Sequence, residues 1–264
     1  MAEVVKTIEK NAVLEVRLNR PEVKNAMSAE VMVQLTSIFK SVPSSARVIV
    51  LHGEGEFFCA GGDLNWMKSA LQKTQLENEA DARTLAGMIM AIDECPIPVI
   101  SLVKGGAFGG GVGLVAASDI VISEDDALFS LSEVKLGLIP ATIGPLVMRK
   151  IGVSQARRLY LTGMRFSAAE AKSIGLIHEL VKKGELVSKL ADYLKEFSSS
   201  GPEAVRYAKK LIRELQGFDL WKPEIADQTS VILSKIRVGQ EAQEGVGAFL
   251  ERRKPSWSQK IEWS

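Results

Sequence analysis

The chain opens on a two-residue rhythm. Leu14, Val16 and Leu18 are apolar while Glu15 and Arg17 between them are charged, as in a half-buried strand. Val4 to Ile8 supplies a partner run and Lys10-Asn11 lies between the two, so a β-hairpin is predicted. Asn19-Arg20-Pro21 breaks the second strand, and the period then changes. Met32, Leu35 and Phe39 recur at helical spacing behind Ser28, whose hydroxyl suits an N-cap, and Pro43 closes that helix. Arg47 to Leu51 and Val99 to Val103 are short apolar runs, the pattern of parallel strands buried on both faces. Between them lie a glycine-rich loop, Gly53 to Gly62, a polar stretch rich in Lys, Gln and Glu, and a helix carrying Leu85, Ile89 and Ile92 that ends before Pro96. Gly105 to Gly111 leads into a small-residue helix through Ala117. Asp119 to Ser123 and the short run 127–130 are further strands. This alternation predicts an α/β fold.

Beyond Gly152 the pattern is almost wholly helical. Ser167-Ala168-Ala169-Glu170 has the form of a capping box, and Gly175 suits the C′ position of that helix. Ser198-Ser199-Ser200-Gly201-Pro202 reads as a linker, with Pro202 at a first helical position. Two helices are expected after it, 203–216 and 224–250. The second carries an apolar stripe, Ile225, Ile232 and Ile236, that must cover its own core or a neighbouring subunit.

Composition narrows the function classes. Apolar residues make up 46% of the 264 and the formal net charge is +1, which is ordinary for a soluble globular protein and wrong for a disordered one. Thirty-three basic against 32 acidic residues leave no basic excess for nucleic acid. Two cysteines, Cys59 and Cys95, make no disulfide framework, and two scattered histidines, His52 and His178, make no zinc site. The longest apolar region, Ile97 to Ser123, is interrupted by Lys104, glycines and Asp119, so no membrane span is expected. The N-terminus lacks a basic-then-apolar leader, and the chain reads as cytoplasmic.

Three segments can carry chemistry. In Phe57-Phe58-Cys59-Ala60-Gly61-Gly62-Asp63-Leu64, adjacent glycines let backbone N–H groups approach a ligand; a plain tight turn has the same signature. Gly105-Gly106-Ala107-Phe108-Gly109-Gly110-Gly111-Val112-Gly113 joins a strand to a helix, so unpaired N–H groups and the positive end of the helix dipole meet there. No Gly-Lys-Ser/Thr follows, so it is not a P-loop. In Ser130 to Pro140, Glu133 stands among apolar residues, where desolvation raises a carboxyl's pKa, though a surface glutamate fits the spacing as well.

In this order and at these separations the segments resemble the crotonase family, the enoyl-CoA hydratase/isomerase superfamily. The resemblance also runs through Asn19-Arg20-Pro21, Asn25-Ala26-Met27, Ser118-Asp119-Ile120, Gly137, Pro140, Leu161-Thr162-Gly163, Ala169 to Gly175 and Phe249 to Pro255. It implies a spiral of ββα units over residues 1–200 that binds acyl-CoA. A helical oligomerisation region, 201–264, would then form trimers or paired trimers. The oxyanion hole falls on the N–H groups of Gly62 and Gly110, and Glu133 on the catalytic carboxylate. The substrate is expected against Val23, Ala26, Ala60, Gly62, Asp63, Leu64, Asn65, Gly110 and Pro140. Arg20, Lys24 and Arg252-Arg253-Lys254 are phosphate candidates, and Trp66 and Met67 line the pocket or its rim. No metal, nicotinamide or flavin is implied; coenzyme A belongs to the substrate.

One departure matters. Hydratases of the family typically hold water with two glutamates, and Gly113 stands where the first is expected. Three outcomes remain open. The first is hydration through Glu133 alone, with Leu131 to Thr142 resembling bacterial hydratases of leucine breakdown that act on methylglutaconyl-CoA. The second is a Δ3-Δ2-enoyl-CoA isomerase with one base, and the third a non-catalytic acyl-CoA binder. A charged distal group on the substrate calls for a pocket cation, for which Arg83 and Lys68 are candidates.

Overall fold

The computed structural model describes residues 3–217 and 222–263. The predicted hairpin forms: β1 (Val5–Lys10) runs antiparallel to β2 (Val13–Leu18). Asn11 and Ala12 both take positive φ, 50° and 63°, the left-handed pair that matches the twist of a tight hairpin. Helix α1 (Ala29–Lys40) follows, with the Ser28 hydroxyl accepting from Val31 N and with Val31, Met32, Leu35 and Phe39 buried. Then β3 (Val48–Gly53) pairs in parallel with β2.

The polar stretch after Gly62 is helical. It holds α2 (Leu64–Ala70) and the start of α3 (Gln75–Asp93). A full capping box, Thr74 with Glu77, starts α3 at Gln75, ten residues before Leu85. Strand β4 (Val99–Val103) leads to a three-residue strand, β5 (Gly106–Phe108), inside the second glycine segment. Then come α4 (Gly110–Ala117), β6 (Ile120–Glu124) and β7 (Leu128–Ser130). A 3-10 turn, Ser132–Leu136, carries Glu133 and closes on Gly137. The remainder is α5 (Gly144–Thr162), β8 (Arg165–Ser167), α6 (Ala168–Ser173), β9 (Glu179–Val181), α7 (Leu186–Ser199) and α8 (Pro202–Leu215).

The strands form two sheets. The larger has the order β1-β2-β3-β4-β6-β9 and the smaller β5-β7-β8. Successive passes of the chain, β4 to β5 and β6 to β7, add one parallel strand to each sheet, which is the expected spiral of ββα units. The strand runs lack alternation because both faces are covered. Ile49, Leu51, Val99 and Val121 face the core under α1, α3 and α4, whereas Val48, Val50, Ile100 and Ile122 meet Leu186, Leu190 and Leu194 of α7. Helix α4 lies in the middle of the helical layer, packed against both α3 and α5.

Two helix boundaries differ from expectation. Helical structure begins at Gly144, eight residues before the predicted turning point, and Gly152 kinks α5 with φ 75°. The helix expected over 224–250 is two, α9 (Pro223–Arg237) and α10 (Gln240–Leu250). Gly239, in extended conformation at the N-cap of α10, separates them. No helix among the described residues is long and apolar enough to cross a membrane.

Candidate active site

Two short backbone pairings bring the glycine segments together. Cys59 bridges Ala107: Phe108 N donates to Cys59 O at 3.0 Å and Cys59 N to Gly106 O at 3.3 Å. Gly61 then passes so close to the second segment that a Cβ on it would lie 2.9 Å from Phe108 O, and its φ of 93° excludes a side chain as well. One residue on, Met27 N donates to Gly61 O and Asp63 N to Met27 O. That bridge uses the polar groups on either side of Gly62 and leaves the Gly62 N–H outside the ladder. The Gly110 N–H belongs to the first turn of α4 and has no intrahelical partner. Neither N–H donates to any acceptor among the described residues.

Both glycines line one cavity of about 850 Å³. Its wall is mostly apolar, with Met27, Trp66, Met67, Leu85, Phe108 and Ile143, and it includes Glu133. The Glu133 Oε1 would lie 3.4 Å from a Cβ on Gly109, so the carboxyl rests against the residue just before Gly110. Its Oε2 is buried with no hydrogen-bond partner among the described residues. Burial pushes the Glu133 pKa above the ordinary 4.5. The cavity therefore joins two free N–H donors to a carboxyl poised to exchange a proton. Such a pair can stabilise an enolate oxygen and move a proton at the adjacent carbons.

At Gly113 no space is left for a carboxylate. A Cβ there would stand 2.5 Å from Ile143 Cγ2 and 3.1 Å from Ile89 Cδ1. Ile143 of the loop before α5 thus occupies the volume into which a side chain at 113 would project. Gly113→Ala is expected to destabilise the fold by about 1–3 kcal/mol through overpacking, measured by urea unfolding, and Ile143→Ala should relieve that cost in the double variant.

Asp63 has a structural task. Its carboxylate caps α2, accepting from Asn65 N at 2.8 Å and Trp66 N at 3.2 Å, and pairs with Arg20 at 2.8 Å. Burial alone works against the charge, but the Arg20 guanidinium and the two N–H donors outweigh it and hold the pKa below the ordinary 3.8. That stabilisation is present above pH 3.8 and is lost as pH falls through the depressed value. Arg20 also donates to Ala26 O, so it ties the Ala26 and Asp63 segments together and is not free for a phosphate. Arg20→Gln should cost about 2 kcal/mol in thermal unfolding, because it strands a buried carboxylate. Asn25 is a further tie: its amide donates to Glu54 O and Phe57 O and it accepts from Arg20 N.

Of the expected site residues, Ala60, Gly62, Leu64, Gly110, Glu133 and Pro140 lie in the cavity wall. Val23, Ala26, Asp63 and Asn65 do not; Val23 is exposed and Ala26 buried. Trp66 and Met67 line it as predicted, and Asn78, Asp81 and Thr142 join the wall unpredicted. Arg83 and Lys68 are outside the wall, and Arg83 pairs with Glu79 on the surface. Arg253 is held by Glu244 and Glu251, while Lys24 lies over the Phe57 ring. His52, in β3, contacts Glu15, and His178, just before β9, accepts from Val121 N. Asp119 anchors its turn through Val99 N and Lys209. Cys59 is fully buried, which pushes its thiol up to about 12.

The fold and the cavity define a crotonase-type acyl-CoA enzyme, and sequence comparison agrees. Residues 8–260 match the Enoyl-CoA hydratase/isomerase family, and the chain belongs to it. It is 33% identical to the enoyl-CoA hydratase ACTT6 of Alternaria alternata over 96% of this chain and 83% of that one. It is 34% identical to the mevalonyl-coenzyme A hydratase sidH of Aspergillus fumigatus, over 93% and 91%. A crystal structure of an enoyl-CoA hydratase from Shewanella pealeana superposes with a TM-score of 0.91 at 36% identity, over 97% and 96%. These relatives place the chain among the enzymes of the hydratase/isomerase family.

Proposed function

We propose that the chain hydrates a 2-enoyl-CoA, or dehydrates the matching 3-hydroxyacyl-CoA. One observation carries the reading: a desolvated carboxyl and two unpartnered backbone N–H groups share one apolar cavity. The thioester oxygen accepts from Gly62 N and Gly110 N. Glu133 takes a proton from water as its oxygen bonds to C3, and the C2–C3 π pair moves onto the thioester as an enolate. Glu133 then gives that proton to C2, so one water is added and the carboxylate is restored. Donors held in place before the reaction cost no reorganisation, and each is worth about 2.7–4 kcal/mol. Ser132 and Thr142, the hydroxyl side chains of the wall, supply the second contact to water in place of a carboxylate at 113.

The coenzyme A arm lies against Val23, Ala26, Ala60, Asp63, Leu64 and Asn65, with Lys24, Arg252 and Lys254 the remaining phosphate candidates. Coenzyme A enters as part of the substrate, and this chemistry calls for no metal or redox cofactor. The exposed apolar residues of α8 to α10, among them Ile212, Val246, Phe249 and Leu250, support assembly as a trimer or a pair of trimers. A cytoplasmic location fits the two reduced, buried cysteines.

One observation favours a second reading. With Ile143 and Ile89 packed at Gly113, no second carboxylate can stand at that position beside Glu133, which suits a Δ3-Δ2-enoyl-CoA isomerase. The leucine-breakdown substrate 3-methylglutaconyl-CoA finds no basic side chain in the described wall. Crotonyl-CoA and 3-hydroxybutyryl-CoA, separated by chromatography, test the first reading. Convergence on one mixture from either side supports it; no interconversion refutes it.

A further inference from the structure

The cavity wall has a second charged side chain besides Glu133, and it is also acidic. Asp81 lines the wall from α3, and Asn78 lines it three residues earlier. Leu85, one helical turn after Asp81, lies within 4.0 Å of a Cβ on Gly110. Asp81 therefore stands about 6 Å further along α3 from the oxyanion donors, at a rise of ~1.5 Å per residue. An acyl chain that runs along α3 from a thioester oxygen at Gly62 and Gly110 would bring its far end beside Asp81.

Asp81 has a cationic partner outside the wall. Lys73 Nζ pairs with Asp81 Oδ2 at 2.5 Å, and Lys73 is not among the lining residues. An acyl group entering the cavity meets the carboxylate first, and the ammonium already has its counter-ion. The side chains of Asp81 and Lys73 are 24% and 30% exposed, so the field at the wall is less screened than on an open surface. Met67, Ala70 and Leu85 of the wall are apolar, and the Asn78 amide already donates to Ala70 O, Lys73 O and Thr74 O, so the wall around α3 offers little to solvate a second anion.

We propose that Asp81 is a specificity-determining residue that admits acyl groups with a neutral far end and rejects those ending in a carboxylate. This rests on the acyl-CoA reading of the cavity and deepens it by naming the substrate class. A terminal carboxylate would have to approach a like charge or displace Asp81 from Lys73. A plain or branched alkyl end makes only apolar contacts.

The test is binding rather than turnover. Pentanoyl-CoA and glutaryl-CoA share the thioester and chain length and differ at the far end, and neither has a double bond to hydrate. Titration calorimetry of the full chain at low salt should show glutaryl-CoA binding at least tenfold more weakly. In Asp81→Asn, which removes the charge and frees Lys73, the ratio should fall to about one or invert. Raising salt should shrink the wild-type ratio towards one. Equal wild-type affinities overturn the proposal, and a ratio that survives Asp81→Asn overturns the role of Asp81. Crotonyl-CoA turnover is a separate readout: its absence refutes the lyase reading while these ratios still judge the charge gate.

Discussion

Glu133→Gln is expected to lower kcat on a 2-enoyl-CoA by about 10²–10⁴-fold, the usual contribution of a positioned acid–base group. The amide is nearly isosteric and keeps the contact with Gly109, so affinity for a saturated acyl-CoA should change little. A large loss in kcat with preserved binding separates proton transfer from packing. The wild-type pH profile supplies an independent check. Burial holds the Glu133 pKa above 4.5, and the reaction needs the ionised base. As pH falls, kcat/KM should therefore decline through an apparent pKa above that value. Full activity in Glu133→Gln would remove Glu133 from the mechanism.

Gly110→Ala carries the second large effect. A methyl on Gly110 would lie 2.0 Å from Met27 Cε, closer than two carbons can approach. The end of Met27 must swing away, and both it and the methyl crowd the place where the thioester oxygen accepts its hydrogen bonds. The Gly110 N–H remains, but its aim is lost. Displacing one oxyanion donor should cost about 10²–10³ in kcat. Thermal unfolding should move much less, since Met27 is a flexible side chain with room to shift into the cavity. Met27→Ala in the same chain should recover part of the rate. A rate loss that Met27→Ala leaves untouched would show that the methyl acts by another route.

The readable parts of this fold are those with local periodicity or punctuation. Alternation marked the hairpin, apolar runs marked β3 and β4, and the Ser28 cap placed α1 within a residue. The glycine segments were readable because unpaired N–H groups at a strand-to-helix junction need residues without Cβ atoms. Other features depend on contacts that no window of sequence contains. Ile143 fills the space beside Gly113 from thirty residues away, which only packing of the loop before α5 against α4 reveals. Arg20 is a phosphate candidate by sequence, but Asp63, 43 residues on, takes its charge in the fold. Thr74-Gln75-Leu76-Glu77 carries a capping-box signal for the start of α3, but it stands within a polar stretch with no apolar period behind it. Strand β5 is three residues long and borrows its partners from β7 and Cys59, so it has no period of its own. Asp81 is half-buried on a polar face of α3, and only the cavity gives it meaning.

The central claim is that Gly62, Gly110 and Glu133 together add water across an enoyl thioester. Its most direct test is mass spectrometry of crotonyl-CoA and a 3-enoyl-CoA incubated with the purified protein in deuterated water. Crotonyl-CoA is expected to gain the mass of one heavy water, with one deuterium on carbon at C2. Isomerisation of the 3-enoyl substrate to its 2-enoyl form, with crotonyl-CoA left unhydrated, would contradict hydration and make Glu133 a base that only shuttles a proton.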